Sequence, residues 1–509
     1  MLEEERKYEV DNRFSLPELT GCLPQGGRVL DRPPATLTAT YFDTPDLRLA
    51  RAGASLRFRR GDAEPWTVKL PAAAPGVRHE ISRPGAMGAP PGDLVALVTA
   101  YSRGAPLTPT VVMRTVRRAY ELRDGDDAVL AELADDTVSV LDGRRVTAKF
   151  REIEVELKTG GRKLLDRVER ELRGAGAVAG AFTPKHVRAL GSAAAEPPDL
   201  PAPEPPPSRP SAADVVTAAI RRDIARLLGH DALVRLRAPV GEDDTAVHQM
   251  RVGCRRLRSD LRTFGPLVDP DWSRQLRGEV GWLADLLGAA RDAEVLRARL
   301  RRTASSDPLS PPDDAAVARI DADLAARHED AMVELDGALR GDRYLKLVDA
   351  LVGAARAPKL TSTAQGRARD VLPRLVSRPW RKFAYGDSGV DGAADLDALA
   401  ADERWHAVRI RGKRARYAVE AVAPVIGGPA EELSRALGAV QDLLGEHQDA
   451  ATAATTWLSV ARADPDDHAL AVTAGRLYER ERAAIRAIRA AFPEIWRAAS
   501  RRKLTAWLP

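Results

Sequence analysis

The stretch "LEEERKYEV" at residues 2–10 decides how the N-terminal half is read. At a side-chain period of two, Glu3, Glu5, Lys7 and Glu9 share one side, and Leu2, Glu4, Arg6, Tyr8 and Val10 the other. A strand carries that many charges on one side when the side meets water or something charged. The pattern returns at "REIEVELK" (151–158), where Glu152, Glu154, Glu156 and Lys158 share a face and Ile153, Val155 and Leu157 the opposite one. Between these acidic strands lie basic ones. Arg57 and Arg59 alternate with Leu56 and Phe58, Lys69 with Val68 and Leu70, and Arg78 shares a face with Glu80. A solvated sheet gives no reason for acid-rich ends around a basic middle. Turned into a closed barrel, both signs acquire a role. The carboxylates suit a hard divalent cation, Mg²⁺ or Mn²⁺, and the Arg and Lys side chains suit phosphate. Pairing of opposite charges is also what allows such groups to be buried.

Around these strands the chain divides. "AAAEPPDLPAPEPPPSRPSAAD" (193–214) is rich in proline and alanine and reads as a semi-rigid linker. Before it come short alternating runs broken by Gly, Pro and Asp, with helical candidates near 15–22, 92–103 and 161–174. After it, long Ala-, Leu- and Arg-rich segments of helical period dominate. The expected class is α+β multidomain. An N-terminal β-rich domain spans 1–192, a linker 193–213, and an all-α domain 214–505, in two related halves at about 214–304 and 315–505.

The relation between the halves is explicit. "HQMRVGCRRLRSDL" begins at His248 and "HAVRIRGKRARYAV" at His406, each followed at nearly equal distance by "LLGAARDA" or "LLGEHQDA". Two motifs recurring in order at matched spacing point to an internal duplication. On a helix, His248, Arg251, Arg255, Arg258 and Arg262 share one face, as do His406, Arg409, Lys413 and Arg416. A single basic face is ordinarily just solvated, with partners such as Asp292 and Asp449. Duplicated, it suits an elongated polyanion, whose binding weakens with salt. Nucleic acid is disfavoured, because aromatic residues are not interleaved with the basic clusters.

The totals set bounds. With 509 residues, 30% of them charged, a formal charge of +5 and two cysteines, the chain has the composition of a soluble protein without a disulfide framework. No apolar run approaches a bilayer span and the acidic start is unlike a signal peptide. A cytoplasmic protein without a membrane partner is expected.

The first 190 or so residues resemble the CYTH family, the triphosphate tunnel metalloenzymes. The E-x-E-x-K signature is matched by Glu3, Glu5 and Lys7, and later blocks follow in order in "YFDTPDLRLARAGASLRFRR", "WTVKLP", "RHE", "RTVRRAYEL", "ELADDTV", "EIEVELK" and "TPKHVRAL". The resemblance implies an eight-stranded antiparallel β tunnel that uses a divalent metal, Mg²⁺ or Mn²⁺, to hydrolyse or cyclise a triphosphate. It assigns Glu3, Glu5, Asp135, Asp136, Glu152, Glu154 and Glu156 to the metal, with Glu132 nearby. It assigns Lys7, Arg57, Arg59, Lys69, Arg78, Arg117, Arg118 and Lys185 to the triphosphate, with Arg114 a further candidate and Glu80 beside Arg78. Inorganic triphosphate leads as substrate, because nothing reads as a nucleobase or thiamine pocket; the general base is left unassigned. The helical half resembles the CHAD domain, a module associated with inorganic polyphosphate. That resemblance places His248, Arg251, Arg255, Arg258, Arg262, His406, Arg409, Lys413 and Arg416 on the polyphosphate, and it extends the expected location to polyphosphate granules. A non-catalytic polyphosphate receptor and an adenylate cyclase using the same tunnel are the alternatives.

Overall fold

The computed structural model describes all residues except 1, 73–76, 180–182, 241–243, 388 and 465, and the side chains of residues 2, 3 and 179. The chain forms two compact units, residues 1–199 and 200–509.

The first unit is built on ten strands: β1 (Leu2–Val10), β2 (Arg28–Asp31), β3 (Ala35–Asp43), β4 (Ser55–Arg60), β5 (Trp66–Pro71), β6 (Val77–Arg83), β7 (Thr108–Arg123), β8 (Val129–Asp142), β9 (Arg145–Leu157) and β10 (Val178–Ala179). Eight of them close into an antiparallel barrel in the order β1-β6-β5-β4-β3-β7-β8-β9, sealed by β9 on β1. The short β10 and β2 attach to β1 and β7. Closure removes the sheet edges, and the register at the seal sets Glu5 opposite Glu156 and Lys7 opposite Glu154.

The barrel is apolar outside and charged inside where β1, β8 and β9 meet. Their outward residues Tyr8, Leu133, Ile153 and Val155 are buried beneath the helix Arg162–Gly174, through Leu164, Leu165, Val168 and Leu172. That amphipathic helix takes the face that a simple alternating strand would turn to solvent. Further along, the interior is filled by Ala39, Tyr41, Val111, Met113, Val138 and Val140, against which Ala189 and Leu190 of the helix Lys185–Leu190 pack. The barrel interior is therefore plugged at one end and polar at the other.

The linker begins inside the first unit. Asp199 is held by Arg51 at 2.9 Å and Arg103 at 2.6 Å, and Ala194 is buried.

In the second unit the element order repeats. The helices Ala212–Gly229, Ala246–Thr263, Pro270–Ala304 and Asp314–Arg340 are matched in order by Ala368–Tyr385, Asp402–Ile426, Gly428–Ala463 and His468–Ala499, with Asp342–Arg356 between the sets. In this order Asp314–Arg340 completes the first set. Ser211 caps the first helix through a capping box with Asp214. Among the described residues no helix is long and apolar enough to cross a membrane.

One buried carboxylate shapes the turn after β3. Asp43 accepts the backbone N–H groups of Thr44 at 2.7 Å and of Leu49 and Ala50 at 2.9 Å, which is why "FDT" leads into the short helix Arg48–Arg51. Asp43→Ala strands three donors in an apolar setting. It is expected to destabilise the barrel unit by on the order of 3 kcal/mol, read as a lowered melting transition. An unchanged transition would contradict this role.

Candidate functional site

The polar end of the barrel holds a cavity of about 140 Å³. Seven cations line it, Lys7, Arg57, Arg59, Lys69, Arg78, Arg117 and Lys185, together with the carboxylates Glu5, Glu80, Glu154 and Glu156. Strand alternation sends each of them inward. Lys185 arrives differently, from the first turn of the plugging helix.

Charge pairing accounts for how these groups survive burial. Lys185 Nζ hydrogen-bonds Asp136 and, at 2.8 Å, Glu154, and lies 3.5 Å from Glu152. Arg117 grips Asp136 with two bonds of 2.8 and 2.7 Å and reaches Glu154 at 3.2 Å. Lys7 pairs with Glu154 and stands 3.5 Å from Glu5, and Lys69 pairs with Glu80. Burial opposes the charge on Lys7 and Lys185, but the surrounding carboxylates outweigh it and raise both pKa values. Burial likewise opposes the charge on Glu154, yet Lys185, Lys7 and Arg117 hold its pKa well below the usual carboxylate range. Glu152 goes the other way: burial and then Glu154 raise it, despite the opposing pull of Lys185. His186, buried and beside Arg78 and Lys7, is pushed down to about 3 and is neutral at ordinary pH.

The structure brings most of the sequence-derived tunnel residues together. Asp136 and Glu152 lie buried beside the cavity, joined to it through Lys185. Asp135 does not join them. It sits on the outer face with Leu133 and is clamped by Arg151 through bonds of 2.8 and 2.7 Å. Leu133, two residues earlier, was the signal: it shares a face with Asp135, whereas Glu132 shares one with Asp136. Arg114 and Arg118 are exposed and also point outward, opposite in parity to the lining Arg117. The side chain of Glu3 lies outside the described ones; its backbone pairs with Arg78. Glu4 and Arg6 face outward, to Arg162 and to Asp166 and Glu169. Sequence reasoning missed Tyr41, Ser55 and His186 in the lining. Tyr41 and His186 stack with ring centroids 5.0 Å apart. Only the adjacency of His186 to Lys185 could have hinted at this pair.

The donor set suits a hard divalent ion, since Glu5, Glu154 and Glu156 offer only carboxylate oxygens. Among the described residues no three acidic, His or Cys groups converge as a ready-made cage. Mg²⁺ needs none: one or two carboxylates and the phosphates of a substrate suffice. The residues fit.

In the second unit a larger groove of about 860 Å³ lies among the helices Ala246–Thr263, Pro270–Ala304, Asp402–Ile426 and Gly428–Ala463. His248, Arg251, Arg255, Arg258, Arg262, His406, Arg409, Lys413 and Arg416 all line it. Arg256, Arg277, Arg291 and Arg414, which the motif reading did not single out, bring the cations to eleven against four carboxylates. Arg251 lies 3.1 Å from Asp292, and Arg416 2.6 Å from Glu420. Arg255, Arg258, Arg262, Arg409 and Lys413 form no ion pair among the described residues. Glycine makes room for two of the guanidinium groups. A Cβ on Gly288 would lie 3.4 Å from that of Arg251, and one on Gly281 would lie 3.3 Å from that of Arg258. Gly288 is the glycine of "LLGAARDA"; its counterpart in "LLGEHQDA", Gly445, has no such neighbour within 4 Å. Burial lowers the pKa of His248 to about 4, with Arg291 adding to it, and that of Lys413 to about 6, with Arg409, Arg255 and Arg251 adding to it.

The barrel network yields a stability test. Lys185→Met removes the cation that Asp136 and Glu154 share. A carboxylate depressed by its partners contributes stability above its unfolded pKa of about 4, lost as pH falls through the folded value. The barrel melting transition of the variant is therefore expected to drop by on the order of 3 kcal/mol at pH 7, with the deficit shrinking below pH 4. An equal deficit at both pH values would contradict the pairing.

Comparison with known proteins agrees with both units. A CYTH domain model matches residues 1–181 and a CHAD domain model residues 218–458. "Uncharacterized protein Rv2226" and "Uncharacterized protein MT2285", from two strains of Mycobacterium tuberculosis, are each 34% identical over 508 residues, covering 94% of this chain and 93% of theirs. Among solved structures, "PptA from Streptomyces chartreusis" aligns with a TM-score of 0.46 at 24% identity, covering 56% of this chain and 99% of that one. A putative adenylate cyclase from Bacillus halodurans aligns with a TM-score of 0.26 at 18% identity, covering 37% of this chain and 97% of that one. With a closed, charged barrel followed by a duplicated helical domain, and with relatives alike along nearly their whole length, the chain belongs to the CYTH–CHAD proteins.

Proposed function

We propose that the chain hydrolyses inorganic triphosphate in the barrel, with Mg²⁺ or Mn²⁺, and binds inorganic polyphosphate in the helical groove. The observation that carries the reading is the barrel interior, where seven cations and four carboxylates line one small cavity. Opposite charges held together in this way are complementary to a polyphosphate carrying a divalent cation, which presents both signs at once. The size of the cavity and its charged lining favour a bare triphosphate over a nucleotide. Its two rings, Tyr41 and His186, are stacked on each other and leave no free slot for a base.

Each part of the chain then has a task. Arg57, Arg59 and Arg117 bind and orient phosphate oxygens and stabilise charge developing on the transferred group. Lys7, Lys69 and Lys185 act as point charges that can turn from carboxylate to phosphate. Glu5, Glu154 and Glu156 would hold the divalent ion, which supplies Lewis-acid neutralisation of phosphate oxygens when bound. The plugging helix Lys185–Leu190 closes one end, which limits water and sets how far a chain can enter. In the groove, the unpaired Arg255, Arg258, Arg262 and Arg409 supply sites for a longer polyanion.

Phosphate release from triphosphate, ATP, thiamine triphosphate and long-chain polyphosphate, with Mg²⁺ or Mn²⁺, tests the catalytic reading. Triphosphate is expected to be the preferred substrate, and Arg57→Ala to lower its turnover about 100-fold. No turnover of any of them by the wild type would contradict hydrolysis and leave a binding scaffold. For the groove, Arg255→Ala combined with Arg409→Ala is expected to weaken retention of long-chain polyphosphate and to flatten its salt dependence. Unchanged retention would contradict the groove as the site.

A further inference from the structure

The groove contains one cation unlike the rest. Lys413 lies on Asp402–Ile426, where Arg409 is one turn before it, and Arg255 and Arg251 face it from Ala246–Thr263. Gly428–Ala463 brings Asp442, Glu446 and Asp449 into the groove; of these Asp449 attracts it, more weakly than the other influences act, and among the described residues no carboxylate comes within ion-pair distance of its ammonium. Pro270–Ala304 contributes Asp292, but that carboxylate is engaged by Arg251, and Arg291 beside it adds positive charge. Arginine stays charged in such a place; lysine need not. At the equivalent position of the first copy stands Arg255, so at this position only one half carries a cation that can readily lose its proton.

Resting on the reading of this groove as a polyanion site, we propose that Lys413 Nζ takes up a proton when polyphosphate binds, and that this uptake makes Lys413 a specificity-determining residue. In the free groove the ammonium would be surrounded by arginines, and its burial adds to the cost of the charge. A polyanion with closely spaced phosphates supplies enough negative charge to stabilise Lys413 as ammonium as well as its arginine neighbours. An anion with one isolated charge is satisfied by the arginines alone and leaves Lys413 neutral. The groove thus discriminates by charge density, and it does so by drawing one proton from solution.

The sign follows from linkage. The free group has a pKa lowered to about 6 by burial and then by Arg409, Arg255 and Arg251, and the bound group a higher one. Affinity is greatest below the free value and falls as pH rises from there to the bound value, by about tenfold per pH unit for one proton. Above the bound value it levels off. His248, lowered by burial and by Arg291 to about 4, is neutral in the free groove across this window. Any proton that it or His406, which also lines the groove, gains with the polyanion is common to the wild type and to Lys413→Arg and cancels between them.

The test is calorimetric titration of the full-length protein with long-chain polyphosphate from pH 5.5 to 8.5, in buffers of different ionisation enthalpy, with inorganic phosphate as the sparse-charge probe. Long chains keep their terminal phosphates a minor contribution, and comparison between variants removes it. The wild type is expected to take up close to one proton per occupied groove near pH 7, and to bind about tenfold more weakly per unit rise in pH. Lys413→Arg, which keeps the charge permanently, is expected to abolish most of that uptake and flatten the profile while still binding. Inorganic phosphate is expected to show no uptake that depends on Lys413. Uptake and slope unchanged in Lys413→Arg would overturn the inference. Failure of the wild type to bind polyphosphate at any pH would instead overturn the reading of the groove itself. If Lys413→Arg folds poorly by its melting transition, Lys413→Gln serves the same purpose: it too must lose the pH dependence, at weaker affinity below pH 6.

Discussion

The first unit depends on compensation between ammonium, guanidinium and carboxylate groups inside the barrel. Taking a single charge out of water costs several kcal/mol, and pairing repays it only when geometry and hydrogen bonds are good. Lys185 and Arg117 meet that condition with Asp136 and Glu154, and Lys7 with Glu154 and Glu5. The network also explains why the barrel is built apolar side out. With the interior given to charge, strands β1, β8 and β9 find their hydrophobic partner in the helix Arg162–Gly174. The stability of the interior therefore rests on its own charges opposing one another.

The second unit solves the opposite problem. Among the described residues its groove gathers eleven cations and four carboxylates, so compensation there is left incomplete. Two devices keep it tolerable. Carboxylates behind the surface draw some guanidinium groups back: Glu420 holds Arg256 and Arg416, each at 2.6 Å. Small residues such as Gly281 and Gly288 let other guanidinium groups lie along a neighbouring helix. What remains is a surplus of positive charge in the groove.

Much of this was legible in the sequence, for physical reasons. A period of two sorts charges from apolar residues, so the inward set at Glu5, Lys7, Arg57, Arg59 and Glu154 could be read directly. The repeat starting at His248 and His406 likewise foretold two basic helices, and both line one groove. The misassigned faces were those where polar residues occur on consecutive positions. In "ADDT" both Asp135 and Asp136 are acidic, and in "VRRA" both Arg117 and Arg118 are basic, so only the parity of the neighbouring apolar residues separates inner from outer. The helix Lys185–Leu190 as a plug, the Tyr41–His186 stack and the addition of Arg277 and Arg291 to the groove depend on long-range placement. No local pattern encodes them.

The central claim is that the charged barrel interior is complementary to a triphosphate together with a divalent ion. Thermal unfolding of the full-length protein with tripolyphosphate, with Mg²⁺, and with both measures this most directly, because a ligand that binds only the folded state raises its transition. The account predicts that both together raise the barrel transition by more than the sum of the two separate shifts. A barrel transition unmoved by the pair, at concentrations where the groove transition still responds to long-chain polyphosphate, would contradict it.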